Sequence, residues 1–291
     1  MITRNEEYPK LAKALEMSKL FFKREDLHPY GSHKGRSIPV MVDKYIHDGI
    51  KHFAVSSSGN AALAAAHHIE RLNKDKQLNI VLDILVGQHI TKKKLGKLEQ
   101  FKDSFIKVTM HDRPLQTLFN IVKDPSIKAL RQSNDDTALI GYKSLGEELL
   151  EIKDIKAVFI GTSSGTTAQA LAEYFKSVNQ SIEIHVVQTS SCHGIASDFV
   201  DDPLIDEVSI ADAIVDQTAI RKDVLRKLIE DCGGSGWIVS NEQIEAAKEM
   251  TYKYTDVKIS NNSALSVAGL MQAVYTGKAW DGSVVCMICG D

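Results

Sequence analysis

The sequence predicts an α/β protein with two lobes, each a mostly parallel twisted sheet covered by helices. Three observations carry this expectation. Short apolar runs of strand length alternate with amphipathic segments of helix length along the chain. Only 6 prolines interrupt the 291 residues, with no low-complexity linker and no internal repeat. At that length two sheets, hence two lobes, are the natural division.

The elements follow in order. HFAV (52–55) reads as a buried strand, and an alanine-rich helix follows it from Asn60 to Leu72. NIVLDILV (79–86) is the next strand, with a basic helix from Thr91 to Phe101 behind it. FIKV (105–108) precedes a helix from Pro114 to Leu130. KAVFI (156–160) leads into a helix from Thr166 to Ser177, IEIHVV (182–187) leads into a loop, and VVCMI (284–288) closes the pattern. Strand followed by helix, repeatedly, means parallel neighbours, because parallel strands need a crossover connection.

Composition narrows the function classes. A hydrophobic content of 43% supports a sizeable core, and 35 Lys+Arg against 38 Asp+Glu leave a formal net charge of -3. That balance gives no basic footprint for nucleic acid and no basic face for a membrane, so neither partner is expected. The apolar runs are far shorter than the roughly 20 residues of a membrane span. MITRNEEYPK lacks the apolar core of a signal peptide, so a cytoplasmic location is expected. The cysteines, at 192, 232, 286 and 289, make no disulfide framework. Cys286 and Cys289 form a C-x-x-C inside an apolar run, but residues three apart on a strand point to opposite faces, so no metal is expected.

In parallel sheets ligands bind beyond the carboxyl ends of the strands. Two loops there are chemically unusual. Ser56-Ser57-Ser58-Gly59-Asn60 directly precedes AALAAA, and its hydroxyls and N–H groups make an anion cradle at a helix start. Plain N-capping would need one such residue rather than five. Gly161-Thr-Ser-Ser-Gly-Thr-Thr167 follows KAVFI with more donors still. It lacks the Gly-Lys-Ser/Thr ending of a P-loop and is not G-x-G-x-x-G, which leaves a phosphate held by main-chain N–H groups and hydroxyls. A third stretch, EDLHPYGSHKGR (25–36), sets Lys34 between a Pro-Tyr-Gly-Ser turn and a run that can become a helix. It is either an ordinary helix start with a solvated Lys/Arg pair or a lysine held for covalent chemistry.

A reactive lysine, a phosphate loop and a carboxylate loop are together what pyridoxal phosphate requires. The chain resembles the fold-type II pyridoxal-phosphate enzymes, the tryptophan synthase β, cysteine synthase and threonine synthase superfamily. KREDLHPYGSHKGR is similar to that family's Lys-x-Glu-x-x-Asn-Pro-Thr-Gly-Ser-Phe-Lys-Asp-Arg pattern, SSSGNAALAAA to its Ser-Gly-Asn segment, and GTSSGTTA stands in place of its glycine-rich phosphate loop. GYKSLGEELLE (141–151), SIADAI (209–214), GGSGWIVSNEQIEAA (233–247) and NNSALSVAGL (261–270) fall in the family's order, and the pattern is nearest to threonine synthase.

The resemblance implies pyridoxal 5'-phosphate in a cleft between the lobes, with 1–36 and 140–291 forming the large cofactor-binding domain and 37–139 the smaller one. It implies that Lys34 forms the Schiff base and later moves the α-proton, and that Asn60 hydrogen-bonds the ring hydroxyl oxygen. It further implies that Ser57, Ser58, Gly59 and Asn60 receive the substrate carboxylate, and that Gly161, Thr162, Ser163, Ser164, Gly165 and Thr166 hold the phosphate. Cys289 falls where relatives place a Ser or Thr facing the pyridine nitrogen. The departures are His28, His33, Gly35, and Ser163 and Ser164 in place of the usual glycines.

The implied activity is β- or γ-elimination or replacement on a small amino-acid substrate, threonine synthase-like, with TKKKLGK (91–97) as the candidate cationic run for a phosphate leaving group or else a solvated helix face. The alternatives are a serine/threonine dehydratase, a cysteine synthase-like β-replacement enzyme, or a catalytically silent regulatory homologue. A homodimer is what the family implies.

Overall fold

A computed structural model describes residues 2–201, 208–216 and 218–290. The chain divides into two units, Met1–His28 with Tyr142–Asp291, and Pro29–Gly141. In chain order the first contributes β1 (Asn5–Glu7), α1 (Pro9–Ala14) and β2 (Lys19–Arg24). The smaller unit then supplies α2 (Lys34–His47), β3 (His52–Ser56), α3 (Asn60–Lys76), β4 (Val81–Gly87), α4 (Lys92–Glu99), β5 (Ile106–His111), α5 (Pro114–Ile121), β6 (Ile127–Ala129) and α6 (Thr137–Ile140). The chain returns to the larger unit for α7 (Lys143–Leu149), β7 (Ile155–Gly161), α8 (Thr166–Ser177), β8 (Glu183–Thr189), α9 (Lys222–Asp231), β9 (Ser235–Val239), α10 (Asn241–Thr255), α11 (Asn261–Tyr275) and β10 (Ser283–Ile288).

The smaller unit's sheet runs β5-β4-β3-β6 and is parallel throughout. The larger unit's sheet runs β1-β2-β10-β7-β8-β9, parallel except for the edge strand β1. The α/β class with mostly parallel sheets is therefore observed. Each unit has its own core. Phe53, Ile69, Leu82, Ile84 and Ile106 close one, and Phe22, Phe159, Leu265, Val284 and Ile288 the other. No helix among the described residues is long and apolar enough to cross a membrane.

One expected element is corrected. The helix from Pro114 stops at Ile121 instead of reaching Leu130. Asp124-Pro125-Ser126 breaks it, with Asp124 Oδ1 accepting from both the Ser126 N–H (2.9 Å) and its hydroxyl (2.7 Å). Proline also disfavours helical backbone at the residue before it. The chain turns there into β6, which pairs with β3.

A buried polar network ties the larger sheet together. Phe159 stacks on the fully buried His185, ring centroids 4.3 Å apart. Trp237 Nε1 donates to His185 Nδ1 at 3.1 Å, so the imidazole proton sits on Nε2, which lies 2.9 Å from Glu183 Oε2. Trp280 Nε1 donates to the same carboxylate oxygen at 2.9 Å. Burial pushes the His185 imidazole below its usual range, Glu183 partly offsetting this and Lys278 adding to it.

A second proton on His185 would face the Trp237 N–H, donor against donor. The unfolded chain takes up that proton near pH 6.5 while the folded chain resists it, so stability is full above that pH and falls on acidification below it. Urea midpoints should drop between neutral pH and about pH 5.5, and His185→Gln, weaker at neutral pH, should show a shallower acid slope. Parallel pH profiles for the two proteins would contradict this assignment.

Candidate active site

Lys34 opens α2 from a tightly specified turn. Gly31 has φ 76°, backbone that favours glycine, and the buried Ser32 follows it. The Ser32 hydroxyl accepts the Lys34 N–H at 3.3 Å and its carbonyl accepts the Gly35 N–H at 3.0 Å. Lys34 itself is half-buried. Two contacts tie this turn and helix to α3. The Tyr30 ring stacks on His67, centroids 5.2 Å apart and planes within 1°, and His68 Nε2 lies 2.7 Å from Asp43 Oδ1. Behind α2 sits Gly141. A Cβ there would stand 2.6 Å from the Arg36 carbonyl oxygen and against the Ser37 Cα, so main chain meets main chain at the first turn of the lysine's helix.

Beyond β3, Ser57 Oγ accepts the Gly59 N–H at 3.2 Å, which shapes the loop before Asn60 begins α3. Ser57, Ser58, Gly59 and Asn60 are all half-buried at the carboxyl end of the strand. Ser58 lines a cleft of about 460 Å³ with Gly87, Gln88, His89, Ile90 and Asp112, beyond the ends of β3, β4 and β5. The sequence reading did not reach Gln88, His89 or Asp112, whose only signal is their position just after strands. Lys92 and Lys93 are exposed, Lys94 is half-buried, and none of the three lines the cleft.

In the larger unit the loop after β7 uses part of its donor set internally. Thr162 N–H donates to the Val187 carbonyl at 3.0 Å, and Gly165 N–H donates to Thr162 Oγ1 at 3.0 Å. Ser164 Oγ and Thr166 Oγ1 lie 2.9 Å apart. The N–H groups of Ser163 and Ser164 meet no acceptor among the described residues. They stand at the start of α8, where the helix dipole favours an anion. Two glycines let the loop pack closely on its neighbours: a Cβ on Gly161 would stand 2.9 Å from Leu265 Cβ, and one on Gly165, at φ 81°, would meet Leu225 and Ile195.

Cys289 lies directly after β10, 5% exposed, its thiol 3.7 Å from the Met287 carbonyl. The strand end is fixed to α11, because Gly290 N–H donates to Ser263 Oγ at 3.1 Å and Ser260 Oγ donates to the Gly290 carbonyl at 2.9 Å. Cys286 is engaged elsewhere, with Ser266 (3.6 Å), and complete burial pushes its thiol up.

In the larger unit, main-chain donors without an internal acceptor suit a phosphate, and in the smaller unit a half-buried lysine at a helix start suits an aldehyde; pyridoxal phosphate carries both groups. The chain belongs to the pyridoxal-phosphate dependent enzyme family, whose profile matches residues 2–290, and its cofactor is pyridoxal phosphate. It is 25% identical over 300 residues to the threonine synthase of Methanosarcina acetivorans, covering 97% of this chain and 72% of that one. Its fold is similar to a pyridoxal 5'-phosphate-dependent aspartate racemase (TM-score 0.83, 19% identity, 100% of this chain and 90% of the other). It is also similar to the processed form of threonine deaminase isoform 2 from Solanum lycopersicum (TM-score 0.82, 20% identity, 99% and 78%).

The Gly141 contact generates a test. Gly141→Ala should push the first turn of α2 aside, cost about 1–3 kcal/mol of stability and weaken cofactor capture. Thermal unfolding together with the visible absorption of the loaded protein measures both effects, and an unchanged protein would show that Lys34 does not depend on this contact.

Proposed function

We propose that the protein is a pyridoxal-phosphate-dependent lyase or synthase acting on an α-amino acid by β- or γ-elimination or replacement, in the manner of threonine synthase. The observation that carries this reading is the thiol of Cys289, rather than a carboxylate, at the end of β10. A thiol facing the pyridine nitrogen leaves it largely unprotonated, which suits elimination and replacement better than chemistry that needs a strongly electron-withdrawing ring. The bound cofactor supplies an aldehyde that captures amines and a conjugated ring that accepts electrons.

The chain's own residues divide the remaining work. Lys34 would anchor the cofactor through Nζ and would hold the proton taken from the α-carbon. Ser57, Ser58, Gly59 and Asn60 would receive the carboxylate at the start of α3 through their hydroxyls, an amide and the N–H groups not already taken, and the Asn60 amide would hydrogen-bond the ring oxygen. The main chain of Gly161 to Thr166 would hold the phosphate, with the Ser163 and Ser164 N–H groups as its donors.

A second reading, serine/threonine dehydratase, has one observation in its favour. The cleft beyond β3, β4 and β5 is lined by Asp112, His89 and Gln88, with no lysine or arginine among its described walls. Such a lining suits a side chain ending in a hydroxyl better than one ending in a phosphate.

Visible spectra of wild type and Lys34→Ala, each given pyridoxal phosphate, should show a yellow band in the wild type alone. A colourless wild type would sink the enzyme reading. Products then separate the reactions: threonine from a γ-phosphorylated homoserine supports the synthase, whereas 2-oxo acid and ammonia from serine or threonine support the dehydratase. Replacing Lys92, Lys93 and Lys94 with alanine should change KM for a phosphorylated substrate by no more than about twofold, as expected of a solvated helix face. A KM rise well beyond that would make this run the leaving-group site.

A further inference from the structure

Ser163 stands where the resemblance leads one to expect glycine, and its hydroxyl has a defined task. Its Oγ accepts the N–H of Val215 at 3.0 Å and the N–H of Asp216 at 2.9 Å, from a segment 52 and 53 residues further along the chain. That segment is pinned at intervals. Asn241 Oδ1 accepts the Ile210 N–H (2.9 Å) and its Nδ2 donates to the Val208 carbonyl (2.9 Å). Asn261 Nδ2 donates to the Ile210 carbonyl (3.0 Å), and Asn262 Oδ1 accepts the Ala213 N–H (3.0 Å). The Cys192 thiol donates to the Asp216 carbonyl (3.6 Å).

The main chain of Ser163 is held from its other side. Gln188, fully buried, donates through Nε2 to the Ser163 carbonyl at 3.1 Å, while its Oε1 accepts the N–H groups of Ile195 and Ala196, each at 2.8 Å. With its carbonyl and hydroxyl both engaged, the residue keeps its N–H, and that of Ser164, clear of any acceptor among the described residues.

We propose that Ser163 is a positioning residue that couples the phosphate cradle to the strap 208–216: by accepting the Val215 and Asp216 N–H groups, its hydroxyl aims the Ser163 and Ser164 N–H groups at the cofactor phosphate. The inference rests on the cofactor-binding reading above and deepens it. The side chain is not itself a phosphate ligand. It substitutes strap anchoring for the backbone freedom that a glycine would have. Losing it leaves two main-chain donors without their acceptor and frees the loop to rotate, so phosphate capture and strap order decline together.

Equilibrium binding to cofactor-depleted protein tests this with two probes, pyridoxal phosphate and pyridoxal, which differ only in the phosphate. In Ser163→Ala and Ser163→Gly the dissociation constant for pyridoxal phosphate should rise about tenfold while that for pyridoxal stays within about twofold. Ser163→Thr, which keeps the hydroxyl, should restore wild-type binding. Hydrogen exchange at the Val215 and Asp216 amides should accelerate in the alanine and glycine variants and slow when wild type takes up pyridoxal phosphate. A general loss of folding would weaken both probes equally, and that outcome would overturn the positioning role. Unchanged pyridoxal-phosphate affinity in Ser163→Ala would overturn it too. Failure of wild type to bind the phosphorylated cofactor at all is a separate outcome, which removes the cofactor-binding reading itself.

Discussion

A helix entered from a parallel strand begins with N–H groups that no carbonyl of that helix can reach. The site depends on how the protein disposes of those groups. Some are satisfied locally, as Gly59 N–H is by Ser57 Oγ and Gly165 N–H by Thr162 Oγ1. Others meet no acceptor among the described residues, as at Ser163 and Ser164. Both sheets carry their strand-to-helix loops at the carboxyl ends of the strands, so the topology alone gathers donors at those edges. Side chains then decide which donors stay free for an anion.

Much of this logic was legible in the sequence because it is local. A strand, a cluster of small donors and an amphipathic run are neighbours along the chain, and the helix expected from Asn60 is observed, extended to Lys76. Local reading failed where a polar residue was buried by distant partners. β2 escaped notice because KLFFKR ends in charges, yet Lys23 is fully buried, donating to Glu148 at 2.6 Å and to the Thr3 carbonyl at 3.0 Å. β9 was hidden behind Gly233-Gly234, whose glycines look like a loop. Gly234 lies so close to Ile184 that a Cβ would strike that residue's main chain. The strap on Ser163 was also beyond reach. SIADAI and NNSALSVAGL stood out as segments, but nothing in either shows that Asn261 and Asn262 hold the strap.

Fold and reaction part company in this family. A threonine synthase, an aspartate racemase and a threonine deaminase all resemble the chain across most of its length. A scaffold that supports all three leaves the outcome to a few groups around the reacting carbon. The groups proposed for that role in this chain are the thiol after β10 in the larger unit and, in the smaller unit, the lysine that opens α2 and the acid, imidazole and amide beyond β4 and β5. Glycines at 141, 161 and 165 each admit a neighbour that a side chain would strike.

The aromatic network on the larger sheet has an optical consequence. The chain holds only two tryptophans, and both donate into the same pair of side chains, His185 and Glu183. Indole emission is therefore a private reporter on one unit. It follows the melting of the β7, β8 and β9 region and is blind to residues 29–141, which contain no tryptophan. Fluorescence and circular dichroism recorded side by side would thus separate the unfolding of the two units without any added label.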